Sequence, residues 1–190
     1  MEIAIATEDV LTEVICEKIA LELGLTVFLR LRKGGSGYLR TKLSSFVAIA
    51  RQYPVVVVTD LDDVLCAPRL VSEWTRNLQL PEWFFLRVAV REVESWIMSD
   101  YESFGRFICS RIDFVPEDVA DPKAKLLNLA SRAPRKIREE LVSSRGAIAS
   151  QGVGYNATLS EFIVQSWCPR RASENSNSLR RMMDRLAELA

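Results

Sequence analysis

Residues 55–63 read Val55-Val-Val-Val-Thr-Asp-Leu-Asp-Asp63. Four β-branched residues run straight into three carboxylates. Branching at Cβ favours extended backbone, so a strand is expected over 55–59. A strand that is apolar at every position, with no polar alternation, is covered on both faces, as in a parallel sheet. Ligands of open parallel α/β sheets bind at the carboxyl ends of the strands. This stretch therefore sets the fold class and asks what the acids at its exit do.

Outward from it, the same grammar repeats. Residues 2–6 read as a strand. The helix that follows carries Leu11, Val14, Ile15, Ile19 and Leu23 at helical spacing and closes on Gly24, where a C′ glycine belongs. Residues 25–31 form a second apolar strand. Lys33-Gly-Gly-Ser-Gly-Tyr38 reads as a flexible loop, and 41–52 as a helix. A helix over 68–78, a strand over 84–90 and a helix over 91–110 complete an alternation of strand and helix. That order predicts an α/β fold with four mainly parallel strands in a doubly wound sheet. After residue 110 strand signals stop. Helices are expected over 121–142, 155–166 and 176–189, with a Gly/Ser-containing loop over 143–156. The expected organisation is an α/β core over 1–110 and a helical C-terminal segment, 111–190, packed on it.

Composition narrows the function. Of 190 residues, 48% are hydrophobic and 26% charged, as in globular proteins. No apolar run approaches the roughly 20 residues of a membrane span. The N-terminus lacks the basic and apolar regions of a signal peptide. The four cysteines are scattered, with no C-x-x-C pair. A reduced, cytoplasmic protein with no membrane partner is expected.

Net charge is zero, but basic residues cluster. Arg30, Arg32, Lys33, Arg40 and Lys42 flank the glycine loop, which makes Arg32, Lys33 and Arg40 candidates for contact with a nucleic-acid backbone. The competing reading is a mobile connection between solvated ends. There is no histidine. Ser-His-Asp hydrolysis, Cys-His proteolysis and His-metal nucleases are excluded within this chain. Catalysis would rest on carboxylates, most simply with a metal.

Three of the four expected strands end in acid: Thr7-Glu8-Asp9, Asp60-Leu-Asp62-Asp63 and Arg91-Glu92-Val-Glu94. Asp60 and Asp62 are two apart, which in extended backbone points both the same way. Carboxylates so placed repel one another and take up protons. Mg²⁺ or Mn²⁺, bound by hard oxygen ligands, would remove that penalty. Two such ions can activate a water and stabilise the leaving oxygen of a phosphodiester. For any one acid the plainer role is a helix N-cap.

Two families write something like this opening motif. Asp60-Leu-Asp-Asp-Val-Leu65 resembles the first motif of the haloacid dehalogenase phosphatases, in which Asp60 would be the nucleophile. Two strands precede it here, however, and the strand at 84–90 ends in Arg91-Glu92 rather than Ser or Thr.

The other resemblance covers more of the chain. Toprim domains, found in topoisomerases, primases and the overcoming-lysogenization-defect nucleases, carry a Glu after strand one and D-x-D after strand three of a four-stranded, Rossmann-like sheet. Glu8, Asp60 and Asp62 match those positions. The first motif departs from E-G-x-[TS]-[DE]: this chain reads Glu8-Asp-Val-Leu-Thr-Glu13, with Asp9 in place of Gly and one extra residue before Thr-Glu. Glu92-Val-Glu94 with Asp100, Asp121-Pro-Lys123 and Gln151-Gly-Val-Gly-Tyr-Asn156 also resemble small stand-alone Toprim-like proteins.

The resemblance implies a Mg²⁺-dependent (or Mn²⁺-dependent) nuclease, with DNA the expected substrate ahead of RNA. It implies Glu8 as metal ligand or general acid/base and Asp60 and Asp62 as ligands. Either Glu92 or Glu94, with Glu94 favoured, would complete a second metal site, and Lys123 would stabilise charge on the scissile phosphate. It also implies an ATPase partner in phage or mobile-element defence, and is compatible with a homodimer. The alternative of another class is a non-catalytic, Toprim-fold binding or regulatory subunit.

Overall fold

The computed structural model describes residues 1–32, 34–143 and 150–190. Four strands, β1 (Glu2–Thr7), β2 (Thr26–Arg32), β3 (Val55–Asp60) and β4 (Phe84–Ala89), form one sheet in the order β2-β1-β3-β4. Every pairing is parallel. The expected α/β class, with a four-stranded sheet flanked by helices, is the one adopted.

Helix α1 (Val10–Glu22) connects β1 to β2, and α2 (Ser36–Ile49) returns the chain across β1 to β3. The strand order reverses between β1 and β3. A crevice opens at such a switch point, beyond the carboxyl ends of the two strands.

The strand pattern decides which helix goes where. Val55 to Val58 are all fully buried, with alternate side chains on opposite faces. Val55 and Val57 join Ala4, Ala6 and Leu86 under Leu39, Leu43 and Phe46 of α2. Val56 and Val58 join Ile3, Ile5 and Phe85 under Leu11, Ile15 and Ile19 of α1. On the α2 face, α3 (Ala67–Thr75) buries only Leu70.

The C-terminal helices crowd the α1 face. They are α4 (Val93–Ser99), α5 (Tyr101–Ile108), α6 (Pro122–Ala130), α7 (Arg135–Leu141), α8 (Tyr155–Gln165), α9 (Pro169–Glu174) and α10 (Asn177–Ala187), with a 3-10 turn at Pro116–Asp118. Side chains of these helices, including Trp96, Phe104, Leu159, Met182 and Leu186, and Trp167 between α8 and α9, belong to the same cluster as the sheet and α1. The buried indoles find partners: Trp96 donates to the Ser178 hydroxyl at 2.7 Å, and Trp167 to the Trp96 carbonyl at 3.1 Å. Among the described residues no helix is long and apolar enough to cross a membrane.

Three expectations are corrected. The helix over 91–110 is two helices. Asp100 ends the first and caps the second, accepting from the Ser103 N–H at 3.3 Å. Its carboxylate is fully buried and also takes the Cys168 N–H at 2.8 Å and the Arg171 guanidinium at 2.9 and 3.0 Å. Four hydrogen bonds from three residues make a break at Asp100 better than continued helix. The helix over 121–142 is likewise split, because Pro134 cannot donate the backbone bond that a continuing helix needs. Helix α2 starts at Ser36 instead of 41, with Gly35 as N-cap at φ +76°, a conformation that glycine adopts without strain.

Candidate functional site

The β1 exit separates two neighbouring acids by task. Asp9 is extended and accepts from the Thr12 N–H at 2.8 Å, so it is the N-cap of α1. Glu8 turns instead towards β3. Its Oε1 accepts from the Asp60 N–H at 3.1 Å and from the Thr59 hydroxyl. The register explains the clamp: Thr7 pairs with Val58, so the next residue of each strand brings Glu8 beside Thr59. The Glu8 carbonyl accepts from the Gly35 N–H at 3.0 Å and so ties the start of α2 to the same place.

Asp60 is the last residue of β3. Its Oδ1 accepts from the Val93 N–H at 3.0 Å. Glu92, the residue at the N-cap position of α4, makes no side-chain cap bond. Asp60 thus caps that helix from the neighbouring strand. Burial, then the charges of Glu94 and Glu8, push its carboxyl up to about 9.

Glu94 lies in the first turn of α4 and is 5% exposed. It accepts from the Tyr155 hydroxyl at 2.8 Å, and burial raises its carboxyl to about 7. Glu92 is half-buried and takes the Lys123 N–H at 2.9 Å, making no ion pair with Arg91 or Arg87 among the described residues. Of the two acids, Glu94 is the inward one.

Asp62 does not follow Asp60 along an extended strand. Its φ is +48°, so it has left the strand and the expectation that both side chains point one way does not hold. The loop that carries it is stapled to the exit of β4. Leu61 and Asp62 donate to the Arg91 carbonyl at 2.8 and 3.1 Å, and Arg91 Nη1 returns a bond to the Asp62 carbonyl at 2.9 Å.

Burial also raises Glu8, Asp62 and Glu92, with like charges adding. Among the described residues none of these five acids has a salt-bridge partner. The donor set is entirely hard carboxylate oxygen, which fits Mg²⁺ or Mn²⁺ by chemistry. Geometrically, no three acidic or thiol side chains among the described residues meet as a ready-made metal site. Asp60 and Glu94 are each held by a hydrogen bond, to Val93 and Tyr155.

Two clefts flank the acids. One, of about 240 Å³, is lined by Asp60, Asp62, Ser36, Gly37, Arg40 and Trp74. Arg40 is therefore brought to Asp60 and Asp62. The other, of about 460 Å³, holds Glu92, Asp121, Lys123 and Asn128. Lys123 Nζ lies 5.3 Å from the centre of the Tyr155 ring. Arg32 turns to Glu13 at 3.2 Å, which also gives that glutamate a structural partner. Lys33 lies outside the described residues.

Sequence reasoning missed Thr59 and Tyr155 as the groups that hold Glu8 and Glu94. Tyr155 sat in the Gly-Val-Gly-Tyr stretch already singled out, but nothing local could say that its hydroxyl reaches α4.

Fold and site together define a parallel α/β protein with a carboxylate cluster at the switch point of its sheet. No family model and no curated protein matches the chain. Among solved structures, it is similar to the C-terminal region of the Burkholderia pseudomallei OLD protein, with TM-score 0.49 and 15% identity over 98% of this chain and 97% of that one. It is also similar to the C-terminal region of the Xanthomonas campestris pv. campestris OLD protein, with TM-score 0.41 and 16% identity over 96% and 95%.

Proposed function

We propose that this chain is a Toprim-type, Mg²⁺- or Mn²⁺-dependent phosphodiesterase that cleaves nucleic acid, DNA in preference to RNA. The observation that carries the proposal is the meeting of Glu8 and Asp60 across adjacent strand ends, with Glu94 close behind. Five carboxyls there are raised together; Lys123 eases only Glu92 and Glu94, and none of the five has a salt-bridge partner among the described residues. Leaving several acids in mutual repulsion costs stability, and a site that tolerates the cost is a functional candidate.

Glu8, Asp60 and Asp62 would hold the ion, with Glu94 next to them. When bound, the ion would supply a polarised phosphate and an activated water. The chain's own groups do the rest. Glu8, fixed by Thr59 and the Asp60 N–H, is placed to take or return a proton at the reacting oxygen. Arg40 on one flank and Lys123 on the other would hold a phosphate backbone across the acids. Partnership with an ATPase in phage or mobile-element defence is a further proposal, supported by the sequence resemblance alone.

The test is cleavage of plasmid and single-stranded substrates in Mg²⁺ or Mn²⁺. Activity that disappears in Asp60→Asn is expected. No cleavage, alone or with an ATPase partner, overturns the proposal.

A non-catalytic binding role is favoured by one observation: no three acids meet at one point among the described residues. Calorimetry separates the two. Failure to bind Mg²⁺ or Mn²⁺ at millimolar concentration selects the binding role.

A further inference from the structure

A third cleft opens at the free edge of the sheet, where β4 has no strand neighbour on its outer side. It has a volume of about 510 Å³ and lies between β4, α3 and α10. That size is within the range of small-molecule sites. The cleft wraps around the strand, and alternation along β4 gives it two unlike walls. On the α3 side Leu86 and Val88 stand with Pro68 and Val71 as an apolar wall. On the α10 side stand Arg87 and Arg181, with Arg91 at the end nearest the acids.

Arg87 and Arg181 are unspent among the described residues, while Arg91 gives its Nη1 to the Asp62 carbonyl. None makes a salt bridge among the described residues, whereas Arg185 beside them pairs with Glu188 and stacks on Phe85 at 5.1 Å. Arg87 Nε is buried and has no hydrogen-bond partner among the described residues. A buried donor left so is destabilising unless a ligand meets it. The one acid of the cleft, Glu117, is already consumed. It accepts from the Asn177 and Ser178 N–H groups at 3.0 and 2.9 Å and from the Ser176 hydroxyl at 2.7 Å, capping α10. Guanidinium groups with a free fork suit phosphate, which they can grip through two bonds at once.

We infer that this cleft binds a nucleoside monophosphate unit, with its phosphate on Arg87 and Arg181 and its base and sugar against the Leu86, Val88 and Val71 wall. The unit has two sources: a free mononucleotide, or the phosphorylated end of a strand. The second rests on the phosphodiesterase proposed above. It has a geometric motive: Arg91 lines the cleft and also bonds Asp62 at both its N–H and its carbonyl, so a strand end seated here runs towards the acids.

Calorimetry on the full chain in EDTA tests this without any cleavage. The probes are deoxyadenosine monophosphate, deoxyadenosine and inorganic phosphate. The monophosphate is expected to bind at least tenfold more tightly than either fragment. Arg181→Ala, on an exposed side chain that the fold does not need, is expected to weaken it at least tenfold, and Arg87→Met likewise. A 5′-phosphorylated oligonucleotide that competes better than its 5′-hydroxyl twin assigns the strand end, and equal competition assigns the free nucleotide. No binding of the monophosphate at millimolar concentration overturns the inference, as does unchanged affinity in both arginine variants or equal affinity for inorganic phosphate. Metal-dependent cleavage that persists in such a case leaves the proposed function standing.

Discussion

The Tyr155 hydroxyl donates to the buried Glu94 carboxylate at 2.8 Å, across 61 residues of sequence. This bond makes the C-terminal helices part of the acidic site. It also holds down a carboxyl that burial drives up. Burial and the same carboxylate in turn raise the Tyr155 hydroxyl well above the ordinary phenol value, so it stays a donor at any physiological pH.

Tyr155→Phe keeps the ring and removes the donor. Glu94 then loses its stabilising bond inside an apolar surround. Destabilisation of about 1–2 kcal/mol is expected by urea unfolding. The variant is also expected to bind Mn²⁺ more weakly, because a more strongly protonated Glu94 must give up its proton first.

Asp60→Asn is expected to stabilise the metal-free protein. It removes a carboxyl that burial and two neighbouring acids force to hold a proton at neutral pH, while an amide oxygen can still accept from Val93. A gain on the order of 2 kcal/mol would raise the melting temperature by about 4–8 °C for a chain of this size. Scanning calorimetry in EDTA measures it, and the same variant should lose the extra stability that Mg²⁺ confers on the wild type.

The acid–base behaviour follows from the direction of the shifts. Asp60 and Glu94 titrate at about 9 and about 7 when folded, against roughly 4 for each in the unfolded chain. A carboxyl raised by folding contributes its full stability below the unfolded value, and that contribution is lost as pH climbs through the folded one. The metal-free protein should therefore lose stability steadily from about pH 5 to pH 9. Saturating Mg²⁺ should flatten that slope, and Mn²⁺ added at pH 7 in weak buffer should release protons.

Arg171→Met strips the partner from the fully buried Asp100 carboxylate. Because the guanidinium itself is partly exposed, the loss should fall near the lower end of that for buried pairs, about 3 kcal/mol. Denaturant unfolding checks it. A small effect would mean that the Cys168 and Ser103 N–H groups alone satisfy Asp100.

Arg40→Ala should leave stability unchanged within about 0.5 kcal/mol, since the side chain is exposed. Binding of oligonucleotide in EDTA should weaken, and the slope of log affinity against log salt should fall by about one. Loss of a phosphate contact and nothing else has that signature.

Much of this architecture was legible in the residues themselves. The four valines and their acidic exit gave the parallel sheet. Glu8 and Asp60, far apart in sequence, could be brought together because strand ends of one parallel sheet share an edge. Gly24 closes α1 at φ +70° as its position promised. Helix breaks were another matter. Asp100 looks like an ordinary helix residue until Cys168 and Arg171, some 70 positions later, arrive to bond it. The left-handed turn at Asp62 depends on carbonyls of the β4 exit, again outside any local window. Tyr155 was invisible as a partner of Glu94 for the same reason. What sequence periodicity misses here is long-range hydrogen bonding, which has no period.

The uneven dressing of the sheet has a consequence for biosynthesis. Residues 1–110 carry all four strands, yet the face bearing Ile3, Ile5, Val56, Val58 and Phe85 is completed only by side chains as late as Leu186. A nascent chain emerging from the ribosome would have that apolar surface covered only by α1, α4 and α5 for as long as the remaining helices take to be translated. At about 5–20 residues per second that is several seconds of exposure. Chaperone shelter during synthesis, or aggregation in its absence, is built into where this chain keeps the second half of its core.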